Sequence, residues 1–267
     1  MSKIDMHVHT KASDGILSPK EAVEWAFRNG LKGISITDHD TVDGIEEACL
    51  TAAEYDSFYV IPGIEFSTIY NEEEVHILGY HIDYHNDELV ALTTKIRDER
   101  LNRGEKMIEK LNQLHYSITL EEVLGHTEGG VIGRPHIARV LAKKGYVGSL
   151  QEAFEKLLGK GKPAFIERFK LSPKEAVSVI ERAGGIPVLA HPGLLKRNIN
   201  IMELLNCGIQ GIEVYHIKHT ATDNRIYLEI AQKYELYITG GSDYHDTFIH
   251  GIPAIGSISV LNPFENK

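Results

Sequence analysis

Nine side chains with metal-ligand chemistry sit in short strings along this sequence. They are His7, His9 and Asp14 in HVHTKASDG, His39 in TDHDTVDG, Glu65 in PGIEFS, His76 in EVHILGY, His191 in LAHPG, and Asp243 with His245 in GSDYH. Imidazole nitrogen and carboxylate oxygen bind Zn²⁺, Fe²⁺ and Mn²⁺, and nine such groups exceed what one ion takes. Two or three ions are implied, with a carboxylate such as Glu65 shared between a pair. Clustered divalent ions lower the pKa of a bound water and neutralise a phosphoryl group, so phosphate ester hydrolysis is the chemistry that fits. The expected nucleophile is a metal-bound hydroxide, because the sequence has neither a G-x-S-x-G elbow nor a P-loop.

Taken singly, each residue has a plainer reading. His76 on a strand is ordinarily a satisfied core residue, Asp38 and Asp40 can cap the next helix, and Asp14 can belong to the Asp-Gly turn before Ile16. The set gains its meaning from the elements that would position it. In a strand over Ile4 to Val8 the period of 2 puts His7 and His9 on one face. The first 85 residues alternate β runs with helical patterns: IDMHV, a helix from Pro19, GISIT, a helix from Asp43, FYVIPGIEF, EVHILGY. Alternation resumes after about Ser172 with IPVLAH, GIEVY and LYITGGSDYH between helices, giving seven candidate strands. This pattern predicts a parallel sheet, whose carboxyl strand ends converge on one site, and the ligand-type residues recur at those ends.

The string LSPKEAV occurs at Leu17 to Val23 and again at Leu171 to Val177. Ser as N-cap, Pro at N1 and Glu at N3 form a capping box, which fixes two helix starts and explains the repeat without duplication. Between roughly Asn86 and Pro163 the β signal disappears and charged helical stretches take over. This span is read as a helical insertion on the sheet's edge, entered again through GHTEGGVIGRPH as a loop leading into a helix. The expected division is a metal-binding barrel from 1–85 and 164–267, with 86–163 covering the active site.

The formal charge of -10 argues against a nucleic-acid-coating surface, and no stable nucleic-acid complex is expected. That charge is uneven: Lys95 to Lys170 holds 15 Lys+Arg against 10 Asp+Glu, so the middle suits anions and the flanks suit cations. Arg134 in VIGRPHIARVL, at a helix start, could clamp a phosphate, with His136 close by. His216, Lys218 and His219 in EVYHIKHTA could line the site, with His219 preferred for holding phosphate or protonating a leaving hydroxyl. His81, His85, His115, His126 and His250 are read as surface or packing residues. Cys49 and Cys207 read as buried small residues and fit a reducing cytoplasm. MSKIDMHVHT lacks a basic region followed by an apolar run, and no stretch of roughly 18 apolar residues occurs, so no membrane association is expected.

In order, HVHTKASDG, TDHDTVDG, GIEFS, HILGY, LAHP and GSDYH resemble the successive motifs of the PHP (polymerase and histidinol phosphatase) family, and within it the stand-alone bacterial phosphoesterases that act on nucleotides. The resemblance covers nearly the whole chain. It implies a distorted (β/α)7 barrel with the helical insertion domain and a centre of three divalent ions, Mn²⁺ or Fe²⁺ with Zn²⁺ as the alternative. By motif, one ion falls to His7, His9, Glu65 and Asp243, a second to Glu65, His76 and His191, a third to Asp14, His39 and His245. Asp14 stands where some PHP proteins have histidine, which makes the third site oxygen-rich and favours Mn²⁺ or Fe²⁺. The GRPH segment over the site is similar to the family's.

The expected activity is hydrolysis of a small phosphorylated substrate: the 3′-phosphate of a 3′,5′-bisphosphonucleotide, short RNA from its 5′ end, or both. Histidinol phosphate is the alternative substrate within the same class. An amidohydrolase would use His-x-His and a late Asp but leave Asp14, His39 and His245 idle, and a non-catalytic nucleotide-binding module would not need a complete ligand set.

Overall fold

The computed structural model describes residues 3–126, 132–196 and 199–265. Seven strands follow the expected strings: β1 (Lys3–Val8), β2 (Gly33–Ile36), β3 (Tyr59–Tyr70), β4 (Glu73–Tyr80), β5 (Ile186–Leu189), β6 (Gly211–His216) and β7 (Tyr237–Gly241). A short hairpin, β8 (Phe248–Ile249) with β9 (Ile252–Pro253), and the strand β10 (Val260–Leu261) complete the β structure. The main sheet has eight strands in the order β10-β1-β2-β3-β4-β5-β6-β7, an α/β sheet curled into a nearly closed barrel. The β7 end meets β1 where the His9 N–H donates to the Tyr244 carbonyl at 2.9 Å and the Ser242 N–H to Asp5 at 2.9 Å.

The parallel expectation fails at β4. That strand runs antiparallel to both β3 and β5, because only Asn71 and Glu72 join it to β3, both with positive φ (48° and 63°). Such a two-residue turn forces a hairpin. His76 consequently reaches the site from within its strand, opposite Ser67, as Glu65 does from the middle of β3, whereas the remaining ligand-type residues lie near or beyond the ends of theirs.

Helices α1 (Pro19–Arg28) and α7 (Pro173–Arg182) begin at the two LSPKEAV strings, each with Ser N-cap and Glu N3 closing a capping box. α2 (Ile45–Ala52) starts two residues after Asp43. Their apolar faces join β-strand residues such as Ile34, Ile36, Phe66 and Ile77 in the larger core. Inside the barrel, Ile4, Met6, Ile61, Leu78, Tyr80 and Val188 pack together, and the Tyr80 hydroxyl crosses to the Met6 carbonyl at 2.9 Å. Cys49 and Cys207 are half-buried rather than fully buried.

Between β4 and β5 the chain forms α3 (Asp87–Gln113), α4 (Leu120–Leu124), α5 (Arg134–Lys143), α6 (Leu150–Ala153) and a π-helical turn at Phe154–Leu158. These elements gather their own apolar cluster around Met107, Leu111, Ile137, Leu141 and Leu158. β4 and β5 are bonded neighbours within the sheet, so the segment does not sit on a sheet edge as expected. Instead, α3, about 40 Å long, carries the chain back toward the strand ends. Part of the GHTEGGVIGRPH loop, residues 127–131, lies outside the described residues, and the described part enters α5 at Arg134. The remaining helices are α8 (Ile201–Leu205) and α9 (Ala221–Lys233). No described helix is long and apolar enough to cross a membrane.

Closure depends on Gly241, where an added Cβ would lie 2.4 Å from both the backbone nitrogen and the Cβ of His7. Gly241→Ala is expected to cost about 2 kcal/mol or more, since neither backbone can yield without opening the β1–β7 seam. Urea denaturation of the two proteins measures this, and an unchanged midpoint would show the seam to be compliant.

Candidate metal centre

All nine ligand-type residues converge at one end of the barrel. β1 presents His7 and His9 side by side, their Nε2 atoms 3.1 Å apart. Glu65 Oε2, from β3, lies 3.3 and 3.2 Å from those nitrogens, and Asp243 Oδ1, just after β7, lies 3.4 and 3.3 Å away. This set is the first of the expected groupings. Glu65 Oε1 is 2.9 Å from both His76 Nδ1 and His191 Nε2, the second grouping. Asp14 Oδ1 is 3.3 Å from His245 Nε2 and 4.0 Å from His9 Nδ1, and His39 belongs to the same cluster.

The divisions are less sharp than the motif assignment. His39 Nδ1 also lies 3.0 Å from Glu65 Oε2, so His39 stands between the second and third groups, and His9 faces the first group with one nitrogen and Asp14 with the other. Glu65 is the hub, with both oxygens surrounded by imidazoles.

Elementary energetics make this an unhappy arrangement for protein atoms alone. His9 Nδ1, His39 Nδ1, His191 Nδ1 and Glu65 Oε2 are buried with no hydrogen-bond partner. Orphaned acceptors and donors of this kind are costly. Divalent ions held by this cluster would supply the missing partners of atoms such as Glu65 Oε2 and His9 Nδ1, so the residues present fit a metal centre. Three residues at strand ends also hold left-handed backbone, Asp40 (φ 55°), His191 (φ 25°) and Asp243 (φ 49°), the kind of local strain that clusters at functional sites.

Burial opposes charge, but carboxylates prevail around His7, His76 and His245. Burial would pull His7 down; Glu213, Glu65 and Asp243 hold it well above the usual imidazole value. His76 and His245 are likewise pushed up to about 10, the first chiefly by Glu65 and the second by Asp14 and Asp243. His39 goes the other way, to about 3, because burial outweighs its carboxylate neighbours. The neighbouring histidines hold Glu65 well below the normal carboxylate range in spite of its burial.

The supports of the cluster were not foreseen in the sequence. Glu213 on β6 accepts from His7 Nδ1 at 3.0 Å and from the His191 backbone at 2.7 Å, fixing the His7 tautomer that turns Nε2 toward the centre. Glu74 does the same for His76, at 3.1 Å from Nε2. Asp38 is no helix cap: it accepts from the Thr10 backbone and from the Thr10 and Ser13 hydroxyls at 2.6 to 2.7 Å, holding the loop that carries Asp14. Asp40 takes the Ser67 N–H at 2.9 Å and pairs with Arg100 of α3. Period-2 alternation could have pointed to Glu213, a charged residue on the inward face of an apolar strand; nothing local marked the others.

A cavity of about 140 Å³ opens beside Asp14 and His39, roofed by the helical segment. Arg134 lines it as expected, stacked over the Phe154 ring at 5.5 Å and 3.4 Å from Glu74. His136 lines it too, fully buried, with Nδ1 accepting the Gly133 N–H at 3.0 Å and Nε2 without a partner. His219 does not: its Nδ1 donates to the Val214 carbonyl at 2.9 Å and its Nε2 accepts the Gly193 N–H at 3.1 Å. Its neighbour His216 is closer to the centre, with Nε2 3.2 Å from Asp243. Three further arginines, Arg100, Arg103 and Arg168, complete the lining, all from the basic middle of the chain. Burial first, then the adjacent arginines, pull Arg103 down to about 9, and no carboxylate pairs with it among the described residues.

Residues 5–171 match the PHP domain family model. The chain is 33% identical to the 3′,5′-nucleoside bisphosphate phosphatase of Chromobacterium violaceum over 92% of its own length and 88% of that protein. It is 32% identical to a 5′-3′ exoribonuclease of Haemophilus influenzae, covering 91% and 90%. Among solved structures it is similar to an amidohydrolase from Chromobacterium violaceum with bound sulfate and no metal, at TM-score 0.84 and 32% identity, covering 91% of this chain and 87% of that one.

Proposed function

The chain belongs to the PHP family, and from that premise we propose that it is a metal-dependent phosphoesterase that hydrolyses nucleotide phosphate esters, with a nucleoside 3′,5′-bisphosphate or the 5′ end of short RNA as substrate. The observation that carries this reading is a nine-residue imidazole and carboxylate cluster opening directly onto a cavity with a buried arginine, Arg103, that no carboxylate pairs with among the described residues. An uncompensated buried guanidinium is expensive, and an anionic ligand removes that cost.

His7, His9, Asp14, His39, Glu65, His76, His191, Asp243 and His245 would hold divalent ions, three by the grouping above, with Mn²⁺ or Fe²⁺ favoured by the oxygen of Asp14. Such ions supply a water of lowered pKa and neutralise the phosphoryl charge. The remaining work falls to the chain itself. Arg103, Arg134 and Arg168 grip a second phosphate away from the reacting one, which sets the distance between the two and selects bisphosphates. The Gly133 N–H occupies His136 Nδ1, so the neutral ring carries its proton on Nε2 and offers it to a substrate oxygen. Residues 86–163 act as the insertion that covers the site, while 1–85 and 164–267 build the barrel beneath it.

Phosphate release from a nucleoside 3′,5′-bisphosphate and from histidinol phosphate by the Mn²⁺-loaded protein tests the assignment; preference for the latter would sink it. Arg103→Ala should raise KM for the bisphosphate ~30-fold, about 2 kcal/mol for a charge-assisted contact, and leave a nucleoside 3′-monophosphate almost unaffected. Equal losses on both substrates would remove Arg103 from the second-phosphate site.

A further inference from the structure

A second cleft, of about 210 Å³, shares with the first only Glu74, Arg103, Arg134 and Arg168, and none of the nine ligand-type residues lines it. Those four side chains are therefore the wall between the two. Each face of this wall has donors to spare. Arg103 donates through Nε to the Ile166 carbonyl at 2.8 Å and has no carboxylate partner among the described residues, and Arg168 Nε is buried without an acceptor.

The outer cleft adds Lys160, Lys170 and Lys196 to the arginines, against Glu72, Glu73 and Glu167. Lys170 is paired with Glu72 at 3.1 Å and Glu167 at 3.7 Å, and Lys196 with Glu73 at 2.6 Å. Among the described residues, Lys160 makes a single polar contact, to the Glu72 carbonyl at 3.1 Å. With Arg103 and Lys160 uncompensated, the cleft carries a surplus of positive charge next to the wall. A substrate with one phosphate at the ligand cluster and another on the arginines would project into this cleft whatever is bonded to the outer side of that second phosphate.

We propose that the outer cleft is a subsite for a further phosphoryl group, so that the enzyme takes nucleotides whose 5′ end is a diphosphate as well as those with a single 5′-phosphate. This rests on the phosphoesterase reading for what occupies the ligand cluster, but the subsite itself is defined by the arginines and lysines. Guanidinium and ammonium groups on both sides of a diphosphate give each phosphoryl its own charge-assisted contacts.

The test is calorimetric binding of a nucleoside 5′-monophosphate and the matching 5′-diphosphate at fixed free Mn²⁺, which needs no turnover. The diphosphate should bind the natural protein ~10-fold more tightly, and the double variant Lys160→Ala/Lys170→Ala should lose that advantage while keeping its affinity for the monophosphate. Both lysines are exposed side chains, so the variant retains its fold. A diphosphate that binds no better than the monophosphate, or an advantage that survives in the double variant, overturns the subsite. Phosphate release from a nucleoside 3′-phosphate 5′-diphosphate, assayed alongside, separates the two ideas: tight diphosphate binding without hydrolysis retains the subsite and rejects the phosphoesterase.

Discussion

Glu65→Ala is expected to abolish measurable turnover, a loss of roughly 10³-fold or more, and to lower the metal content of the protein. The substitution would remove the carboxylate that two groupings share: Oε2 faces His7, His9 and His39, and Oε1 faces His76 and His191. Ions held in that geometry would supply several kcal/mol of transition-state stabilisation. A buried cluster of histidines without its central carboxylate is also electrostatically unfavourable, so the alanine protein alone could lose activity by misfolding. Glu65→Gln separates the effects, since it keeps the volume and one oxygen and removes the charge. The expected result is native circular dichroism, reduced metal content by elemental analysis, and activity still down by two orders of magnitude or more. Metal content and turnover within threefold of the natural protein would show that Glu65 is not the hub.

Metal loading should release protons and tighten as pH rises. In the metal-free protein, protons do part of the work of cations: His76 and His245 are pushed up from 6.5 to about 10, and His7 also lies well above the usual value, each because carboxylates surround it. At pH 7 these rings are charged, and a ligating nitrogen must give up its proton. The sign for stability follows from linkage. A raised folded-state value stabilises the metal-free fold fully below pH 6.5, and that contribution disappears as pH rises through about 10. Ions replace the protons across the same window, so added Mn²⁺ should raise the melting temperature more at pH 8.5 than at pH 6. A pH-stat titration that records no proton release on Mn²⁺ addition would contradict this picture.

The chemistry of the centre was largely readable because strand ends are readable. Capping boxes at Ser18 and Ser172 and β-branched runs placed the elements, and most of the histidines and carboxylates lay near or beyond their ends, Glu65 and His76 being the two within strands. The direction of β4 was not foreseen, although Asn71 and Glu72 between two β runs carried the signal, because a turn without glycine is a weak hairpin mark. Arg100, Arg103 and Arg168 were invisible for a different reason. On a charged helix or in a loop, an arginine bound for a cavity has the same neighbours as one bound for water, and only the docking of α3 on Asp40 and Ser67 distinguishes them. His216 and His219 show the same limit: three residues apart after one strand, they differ only in what the tertiary fold brings to their nitrogens.

The seam between β1 and β7 also sets a schedule. β1, which carries His7 and leads directly into His9, is made before the rest of the barrel, yet its neighbours at the seam are contributed by Ser242, Tyr244 and Gly256, and β10 pairs with it. Asp5 holds the Ser242 and Gly256 N–H groups at 2.9 and 2.7 Å, and Asp243 reaches the two histidines only once that late segment has docked. A nascent chain therefore cannot bring His7, His9, Glu65 and Asp243 together until the segment through Gly256 has been synthesised. The grouping of His7, His9, Glu65 and Asp243 is thus tied to the order of synthesis in a way that the cluster of His39, Glu65 and His76, all from the segment spanning the first four strands, is not.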